Sequence, residues 1–302
     1  ESNDLKIYET SKAGISFVPK LLSPLKANKT FDCIISHKKN EIKAYVDNFL
    51  NGNLYGVDSG WIPNNLGILL HGAPGLGKTS LMKAICNYTK RNPIIVNMKG
   101  LSGDDFENIF KKYATSKYAL VFEEIDFMKN ILTRNSVDGD KELEREKIYL
   151  SNLQLEINAT SDEQLKKKLM EEYKAKVNTT KNLDLSLLLQ LMDGMIETDN
   201  RLIIATTNCP DLIDPALKRA GRFDLVVELK HFNKDEIIEM LIKIMNLEHS
   251  YFDKLNRFQF VEHVWSPSDI LQLVIKSRKN IKFVITELCK GNVTEDDFEC
   301  LL

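Results

Sequence analysis

The sequence lacks three features that would have narrowed its class at once. Its longest apolar runs, such as LSLLLQLM at 185–192, fall far short of the about 20 residues that cross a bilayer, and no signal peptide is visible. Lysine and arginine (41) do not exceed aspartate and glutamate (43), and the resulting net charge of −2 argues against a simple electrostatic nucleic-acid binder. The cysteines are scattered, without a Cys-x-x-Cys pair, which indicates free thiols in the cytoplasm or another reducing compartment rather than disulfides or a metal site. They are Cys33, Cys86, Cys209, Cys289 and Cys300.

What remains is the composition of an ordinary globular protein. The 302 residues, 43% hydrophobic and 28% charged, are enough for two domains or for one large domain with a satellite. The sequence begins with Glu1 rather than Met, so it is compatible with an upstream segment or membrane anchor.

Apolar runs alternate with helical patterns through the first three quarters of the chain. We predict strands at 66–72, 93–98, 119–126, 201–208 and 225–229. We predict helices at 40–52, 80–91, 104–115 (capped by Ser102 or Asp104) and 185–195. This alternation predicts an α/β fold with a parallel sheet that helices cover on both faces.

Three divisions of the chain follow from the pattern. Residues 1–30 carry proline breakers, and we expect an irregular N-terminal extension. Residues 31–232 hold the predicted sheet and form the core domain. Residues 233–302 show only amphipathic helical patterns and are predicted to form a smaller all-helical domain.

One block, residues 129–183, fits neither pattern. It is rich in Lys, Glu and Asn, without a strand signal, and its apolar residues after 164 recur at a spacing near four. We predict an inserted antiparallel helical hairpin or partial disorder.

A glycine-rich segment, GAPGLGKTS at 72–80, follows the first core strand and opens a helix. Its spacing, Gly-x-x-x-x-Gly-Lys-Thr, predicts a phosphate-binding loop, because glycines let backbone N–H groups surround an anion at a helix N-terminus. Lys78 is expected to approach the β- and γ-phosphates, and Thr79 to offer its hydroxyl to Mg²⁺. The expected nucleotide-binding residues are Gly72, Ala73, Pro74, Gly75, Leu76, Gly77, Lys78, Thr79 and Ser80.

The stretch YALVFEEIDFM at 118–128 ends a strand in acidic residues. A surface turn and a magnesium–nucleotide site both fit this pattern. In the second interpretation Glu123 serves the metal and Glu124 orients the attacking water, as P-loop chemistry requires at a neighbouring strand end. Asp126 is expected to cap the next segment or contact a neighbouring subunit rather than to act in catalysis.

A third element combines a polar strand end with an arginine motif. Asn208, after a strand, can hold the attacking water or contact the γ-phosphate, and DPALKRAGRFD follows at 214–224. This motif resembles the second region of homology of the AAA ATPases, within the AAA+ superfamily. The resemblance implies an αβα P-loop ATPase core with a helical lid, ATP and Mg²⁺ as ligands, and a homo-oligomeric ring of six or seven copies. It also implies that Arg219 and Arg222 act as arginine fingers at the neighbouring subunit's γ-phosphate.

A closer resemblance is to the Bcs-type branch, which includes the mitochondrial translocase of the Rieske protein. It is carried by LVFEEID, whose acidic pair begins with Glu, by LLLQLMDGM and by WSPSDILQLV. In the last of these, Ser268 and Asp269 could contact the nucleotide, and a helix N-cap is the competing interpretation. No transmembrane helix like that translocase's is visible in this sequence, and the insert has no counterpart in that branch. We therefore do not predict a role in membrane-protein assembly from this resemblance.

The substrate is the least determined part. The segment 97–105, where unfoldases of the family carry an aromatic pore loop, has no aromatic residue and offers only Met98 or Leu101. Three functions remain: a protein-remodelling ring motor, which we favour, a nucleic-acid motor or loader, and a nucleotide-gated scaffold. We hypothesise that 141–177 projects near the pore and contacts substrate. The alternative is that this segment is a solvated insertion without a role.

Overall fold

A mostly parallel β-sheet lies at the centre of the computed structural model, which describes residues 5–13, 16–26, 29–54, 63–98, 101–125, 149, 151–157, 165–171, 185–193, 199–294 and 296–301. The strands are β1 (Lys6–Ala13), β2 (Ser16–Pro24), β3 (Leu66–His71), β4 (Asn92–Ile95), β5 (Tyr118–Phe122), β6 (Leu202–Thr207) and β7 (Leu225–Glu228). Their order across the sheet is β2-β1-β4-β5-β6-β3-β7, and only β1 and β2 pair antiparallel. Each of the five predicted strands is present, and the predicted fold class is confirmed.

Outside the insert, the described ranges hold eight α-helices. They are α1 (Lys39–Leu50), α2 (Lys78–Thr89), α3 (Gly103–Tyr113), α4 (Leu185–Asp193), α5 (Lys234–Met245), α6 (Tyr251–Leu255), α7 (Pro267–Lys276) and α8 (Ile281–Leu288). Ser102 caps α3, since its side chain accepts the N–H of Asp105. None of the described helices combines the length and the apolarity needed to cross a bilayer.

The alternation of side chains along each strand divides the core between two helical layers. In β3, Ile68 and Leu70 belong to the cluster built with α1 and α2, whereas Leu69 joins α3 and α4 on the opposite face. All three are fully buried. The sheet is therefore covered on both faces, as its continuous apolar strands require.

The expectation that residues 1–30 are irregular is wrong for Lys6–Pro24, which form a β-hairpin. β1 extends the sheet by pairing parallel to β4, with Tyr8 opposite Ile94. Pro19 lies in β2, the outermost strand, where one edge needs no N–H donor. The proline argues against a central strand at this position, but an edge strand tolerates it.

The C-terminal helices form a separate apolar cluster, as predicted for a lid domain. It includes Ile238 and Leu241 of α5, Ile270 of α7 and Ile285 of α8. An Asn233–Glu236 capping box begins α5.

Two contacts attach this lid to the segment before α1. The Glu236 carboxylate accepts the backbone N–H of His37 at 2.8 Å, and Lys243 donates to the Asp32 carbonyl at 2.8 Å. The lid is thus docked beside the phosphate-loop layer of the core.

Two stretches of the insert are described, and both are helical, at 151–157 and 165–171. Leu153 and Ile157 of the first are buried. Apart from Tyr149, the rest of 129–183, and Asp126 before it, lie outside the described residues, so the hairpin stays a prediction.

Candidate active site

The glycine-rich loop joins β3 to α2 at the carboxyl edge of the sheet, where ligands of open α/β sheets bind. Gly72, Gly75 and Gly77 have φ values of 140°, 82° and 91°, in the region that favours glycine. A Cβ on Gly72 would also lie only 2.3 Å from the carbonyl oxygen of Leu229. The backbone therefore follows a path that requires glycine at these positions.

Lys78, the first residue of α2, connects two motifs that lie far apart in the sequence. Its Nζ donates to the carbonyl oxygens of Gly72 at 2.6 Å and Ala73 at 2.9 Å, and to Oδ1 of Asn208 at 2.8 Å. The predicted lysine is thus hydrogen-bonded directly to Asn208, the polar residue that follows β6.

The remaining loop residues separate into an anchor and an exposed rim. Leu76 is buried in the core and anchors the loop there. Pro74 and Thr79 are exposed, while Ala73 and Ser80 are half-buried. The Thr79 side chain is therefore accessible from solvent.

The acidic pair follows β5 directly, at the same edge of the sheet as the loop. Glu123 and Glu124 are both exposed. Glu124 has a φ of 50°, which is uncommon outside glycine, and its N–H donates to Oγ1 of Thr206 at 3.0 Å. Both acidic side chains are thus accessible to solvent at this edge of the sheet.

The electrostatic environment of Glu123 differs from that of an ordinary surface acid. Although the residue as a whole is exposed, partial desolvation by the surrounding protein raises the Glu123 pKa. Lys83 of α2 opposes the rise, and Glu124 and Glu9 add to it. Because desolvation disfavours the charged carboxylate of Glu123, a cation beside it would stabilise that charged form. The contribution of Glu9 comes from the hairpin that we missed in the sequence.

The arginine motif forms a short 3-10 helix, Pro215–Lys218, in which the Asp214 side chain accepts the N–H of Ala216. Arg219 follows it and is exposed; within the described residues its side chain makes no hydrogen bond or ion pair. The Arg222 side chain is only 12% exposed, and its bonding partners lie in the same chain.

Arg222 binds Asp193, at the end of α4, through both carboxylate oxygens. Its Nε donates to Oδ1 at 2.6 Å, its Nη2 to Oδ2, and its Nη1 to the carbonyl of Ala216 at 2.5 Å. The ion pair lowers the pKa of Asp193 and raises that of Arg222. The two predicted finger residues are therefore not equivalent in the isolated chain.

Asp224 fastens the arginine motif to the sheet. Its carboxylate accepts the N–H of Gly67 in β3 at 3.1 Å and that of Gly221 at 2.6 Å. A Cβ on Gly67 would lie 1.6 Å from the Arg222 carbonyl oxygen, so only glycine allows this approach. The position of Arg219 is thus fixed relative to β3 and hence to the phosphate loop.

The lid reaches the loop through the start of α7. A Cβ on Gly75 would lie 3.2 Å from both Oγ of Ser266 and Cβ of Ser268. Ser266 and Asp269 form a capping box, which lowers the Asp269 pKa. Asp269 therefore acts as a helix cap, and Ser268 is the member of the pair beside the loop.

Three features of the site were missed or misread from sequence. Asp193 lies in LMDGM, where its position at a helix end was the only signal. Thr206 lies in a buried strand and carried none. Met98 and Leu101, considered as substrate-gripping residues, are 9% and 6% exposed in the core and do not present a gripping surface.

The donor set fits a nucleotide-bound magnesium rather than a protein-only metal site. Among the described residues, no three His, Cys, Asp or Glu side chains come together as a metal site. Mg²⁺ at phosphate sites usually takes one or two protein ligands, with water and phosphate oxygens completing its shell. Thr79 and Glu123 supply oxygen donors of that kind.

The fold and this site define a P-loop nucleotide-binding protein: a glycine-rich strand–loop–helix unit faces an acidic strand end and a polar strand end on one edge of a parallel sheet. The family described as "ATPase family associated with various cellular activities (AAA)" matches residues 68–231, over half of the chain. The chain belongs to this family and carries an ATPase domain. The expected AAA resemblance is confirmed.

Individual relatives are similar over most of this chain. A "Putative cell division cycle ATPase" of Plasmodium falciparum is 32% identical over 77% of the chain and 16% of its own length. The "Putative AAA family ATPase L572" of Acanthamoeba polyphaga mimivirus is 24% identical over 69% of the chain and 99% of its own length. The "Probable mitochondrial chaperone bcs1" of Schizosaccharomyces pombe is 26% identical over 73% of the chain and 40% of its own length, which supports the Bcs-type resemblance.

Proposed function

We propose that this protein is an ATP-hydrolysing ring motor that remodels or translocates protein substrates. The observation that carries the proposal is the meeting of Lys78 and Asn208 at one sheet edge, while Arg219, on a fixed loop, stays exposed. Beside Lys78, the exposed Arg219 of a neighbouring copy would supply a second positive charge at the γ-phosphate. Protein as the substrate is supported by the similarity to a protein named as a chaperone.

Within this proposal each side chain has a distinct task. The loop 72–80 binds the phosphates of ATP, and Lys78 neutralises part of their charge. Glu124 orients and polarises the attacking water, and Asn208 holds that water or contacts the γ-phosphate. Arg219 and Arg222 are the proposed finger residues, with Arg219 better placed to reach a neighbour.

Thr79 and Glu123 are the residues that would hold Mg²⁺. When bound, the ion would neutralise charge on the β- and γ-phosphates. Glu123 is one methylene longer than the aspartate usual at this position, and it retains the oxygen donors needed for direct or water-mediated contact.

The first test is assembly. We expect the full chain to form a closed ring of six or seven copies with a non-hydrolysable ATP analogue and Mg²⁺, and smaller species without nucleotide. Mass photometry or light scattering after gel filtration would measure both states. A monomer under both conditions, together with undiminished ATPase activity, would contradict the shared site.

A nucleic-acid motor is the second candidate, because Lys166, Lys167 and Lys168 are exposed on the helical stretch 165–171. Glu171 follows them, and a solvated helix face remains the simpler explanation. We expect single- and double-stranded DNA to leave ATPase activity unchanged. Stimulation that falls steeply between 50 and 200 mM salt, typical of about six or more phosphate contacts, would favour this second candidate.

A reducing compartment, such as the cytoplasm, is the proposed location. Cys33, Cys86, Cys209 and Cys289 are free thiols. Burial raises the pKa of Cys86 to about 12, so this thiol is protonated and unreactive at neutral pH.

A further inference from the structure

A hydroxyl from the neighbouring strand holds the backbone of Glu124. Thr206 of β6 is 4% exposed, and its Oγ1 accepts the Glu124 N–H at 3.0 Å. The paired part of β5 ends at Phe122, opposite Ala205. The Thr206 side chain therefore bonds an N–H that lies beyond the last paired residue of β5.

The bonded residue has an unusual backbone. Glu124 adopts a left-handed conformation with a φ of 50°, which is disfavoured for residues with a Cβ. Such conformations persist when surrounding contacts determine them. Glu124 itself is exposed, so packing of its own side chain does not supply this constraint. The hydrogen bond from its N–H to the buried Thr206 side chain is one such contact.

The same strand also holds the opposite side of the site. Asn208, two residues after Thr206, accepts a hydrogen bond from Lys78. The end of β6 thus contacts both the residue proposed to polarise water and the residue proposed to bind phosphate. A shift of one relative to the other would change the angle between water and phosphate.

We propose that Thr206 is a positioning residue for ATP hydrolysis: its hydroxyl fixes the Glu124 peptide so that the carboxylate stays directed at the attacking water. This inference rests on the proposed role of Glu124. Displacements of about 1 Å in an active site lower turnover by up to about 100-fold, so the expected effect lies in kcat and not in nucleotide binding.

A matched control exists on β1, two strands from β5 in the same sheet. Thr10 of β1 is 2% exposed, and its Oγ1 accepts the N–H of Asn97 at 2.9 Å. Thr206→Val and Thr10→Val each remove one buried hydroxyl that accepts one backbone N–H. Only the first removes a hydrogen bond to a residue with a proposed catalytic role.

The experiment measures steady-state ATPase rates, affinity for ATPγS and melting temperature of the full chain. We expect Thr206→Val to lower kcat about tenfold, with ATPγS affinity within about twofold of wild type. Thr206→Ser, which keeps the hydroxyl, should restore kcat to within about twofold. Thr10→Val should keep kcat even if its melting temperature falls as much as that of Thr206→Val.

A double-mutant cycle separates this inference from the function it rests on. If Thr206 acts through Glu124, adding Thr206→Val to Glu124→Gln lowers kcat no further. An independent tenfold loss in the double variant, an unaltered kcat in a folded Thr206→Val, or an equal loss in Thr10→Val would overturn the inference. Should Thr206→Val fail to fold, a low kcat in a stable Thr206→Ser would also overturn it. Wild-type kcat in Glu124→Gln would instead refute the proposed role of Glu124 itself.

Discussion

Lys78→Ala is expected to lower the affinity for ATP by about 100-fold, because it removes a charge-assisted hydrogen-bond donor from the phosphate loop. Hydrogen bonds to charged groups contribute about 1.5–3 kcal/mol, or about 10- to 150-fold in affinity. The Nζ already lies within 2.9 Å of the Gly72, Ala73 and Asn208 oxygens, so it is held at the mouth of the loop before nucleotide binds. Titration calorimetry with Mg·ATPγS would measure the loss.

Lys111→Ala provides the matched control for charge. Lys111 is exposed on α3 and pairs with Glu107. Exposed pairs of this kind contribute about 0–1 kcal/mol, and this one is remote from the loop. We expect ATPγS affinity of this variant to equal that of wild type. Wild-type affinity in Lys78→Ala as well would show that nucleotide binds elsewhere.

The fold could be predicted because its signals are local. Each core strand is a short apolar run bounded by polar or glycine-rich segments, and each core helix has a strong apolar periodicity. The hairpin Lys6–Pro24 was missed because edge strands tolerate proline and need little apolar character on either face. The short helix Tyr251–Leu255 was too brief for a periodic signal.

The site could be predicted only as separate motifs. The loop, the acidic pair and the arginine motif are each contiguous in sequence, and their residue types indicate their chemistry. The contacts that join them are not contiguous: 82 residues separate Thr206 from Glu124, and 130 separate Lys78 from Asn208. Motif spacing carries no information on such pairs, which depend on strand order.

The difference between the two arginines is likewise a product of folding. Three residues apart, Arg219 and Arg222 are equivalent by motif. Asp224 and Gly67 draw the Arg222 backbone against β3, which places its guanidinium beside Asp193 at the end of α4. Arg219 stays exposed and makes no side-chain hydrogen bond within the described residues.

Arg219→Ala is therefore expected to lower turnover in the assembled protein by about 1,000-fold, since arginine fingers contribute 10³ or more to kcat. ATPγS affinity and melting temperature should stay near wild type, because the side chain is exposed and unbonded within the described residues. Arg222→Ala is expected to lose turnover too. It should also lose about 1 kcal/mol of stability, because its pair with Asp193 is partly exposed. A melting-temperature difference separates the two variants.

Mixing inactive copies tests whether Arg219 acts across a subunit interface. Glu124→Gln copies keep the arginine, and Arg219→Ala copies keep the glutamate. If the finger acts in trans, an equal mixture regains activity at about one quarter of its sites, where an Arg219→Ala copy lies beside a Glu124→Gln neighbour on the correct side. Action within one chain predicts no recovery at any ratio, since every copy then lacks one of the two groups. Recovery would establish that hydrolysis depends on assembly, and its absence would require the site to be completed within a single chain.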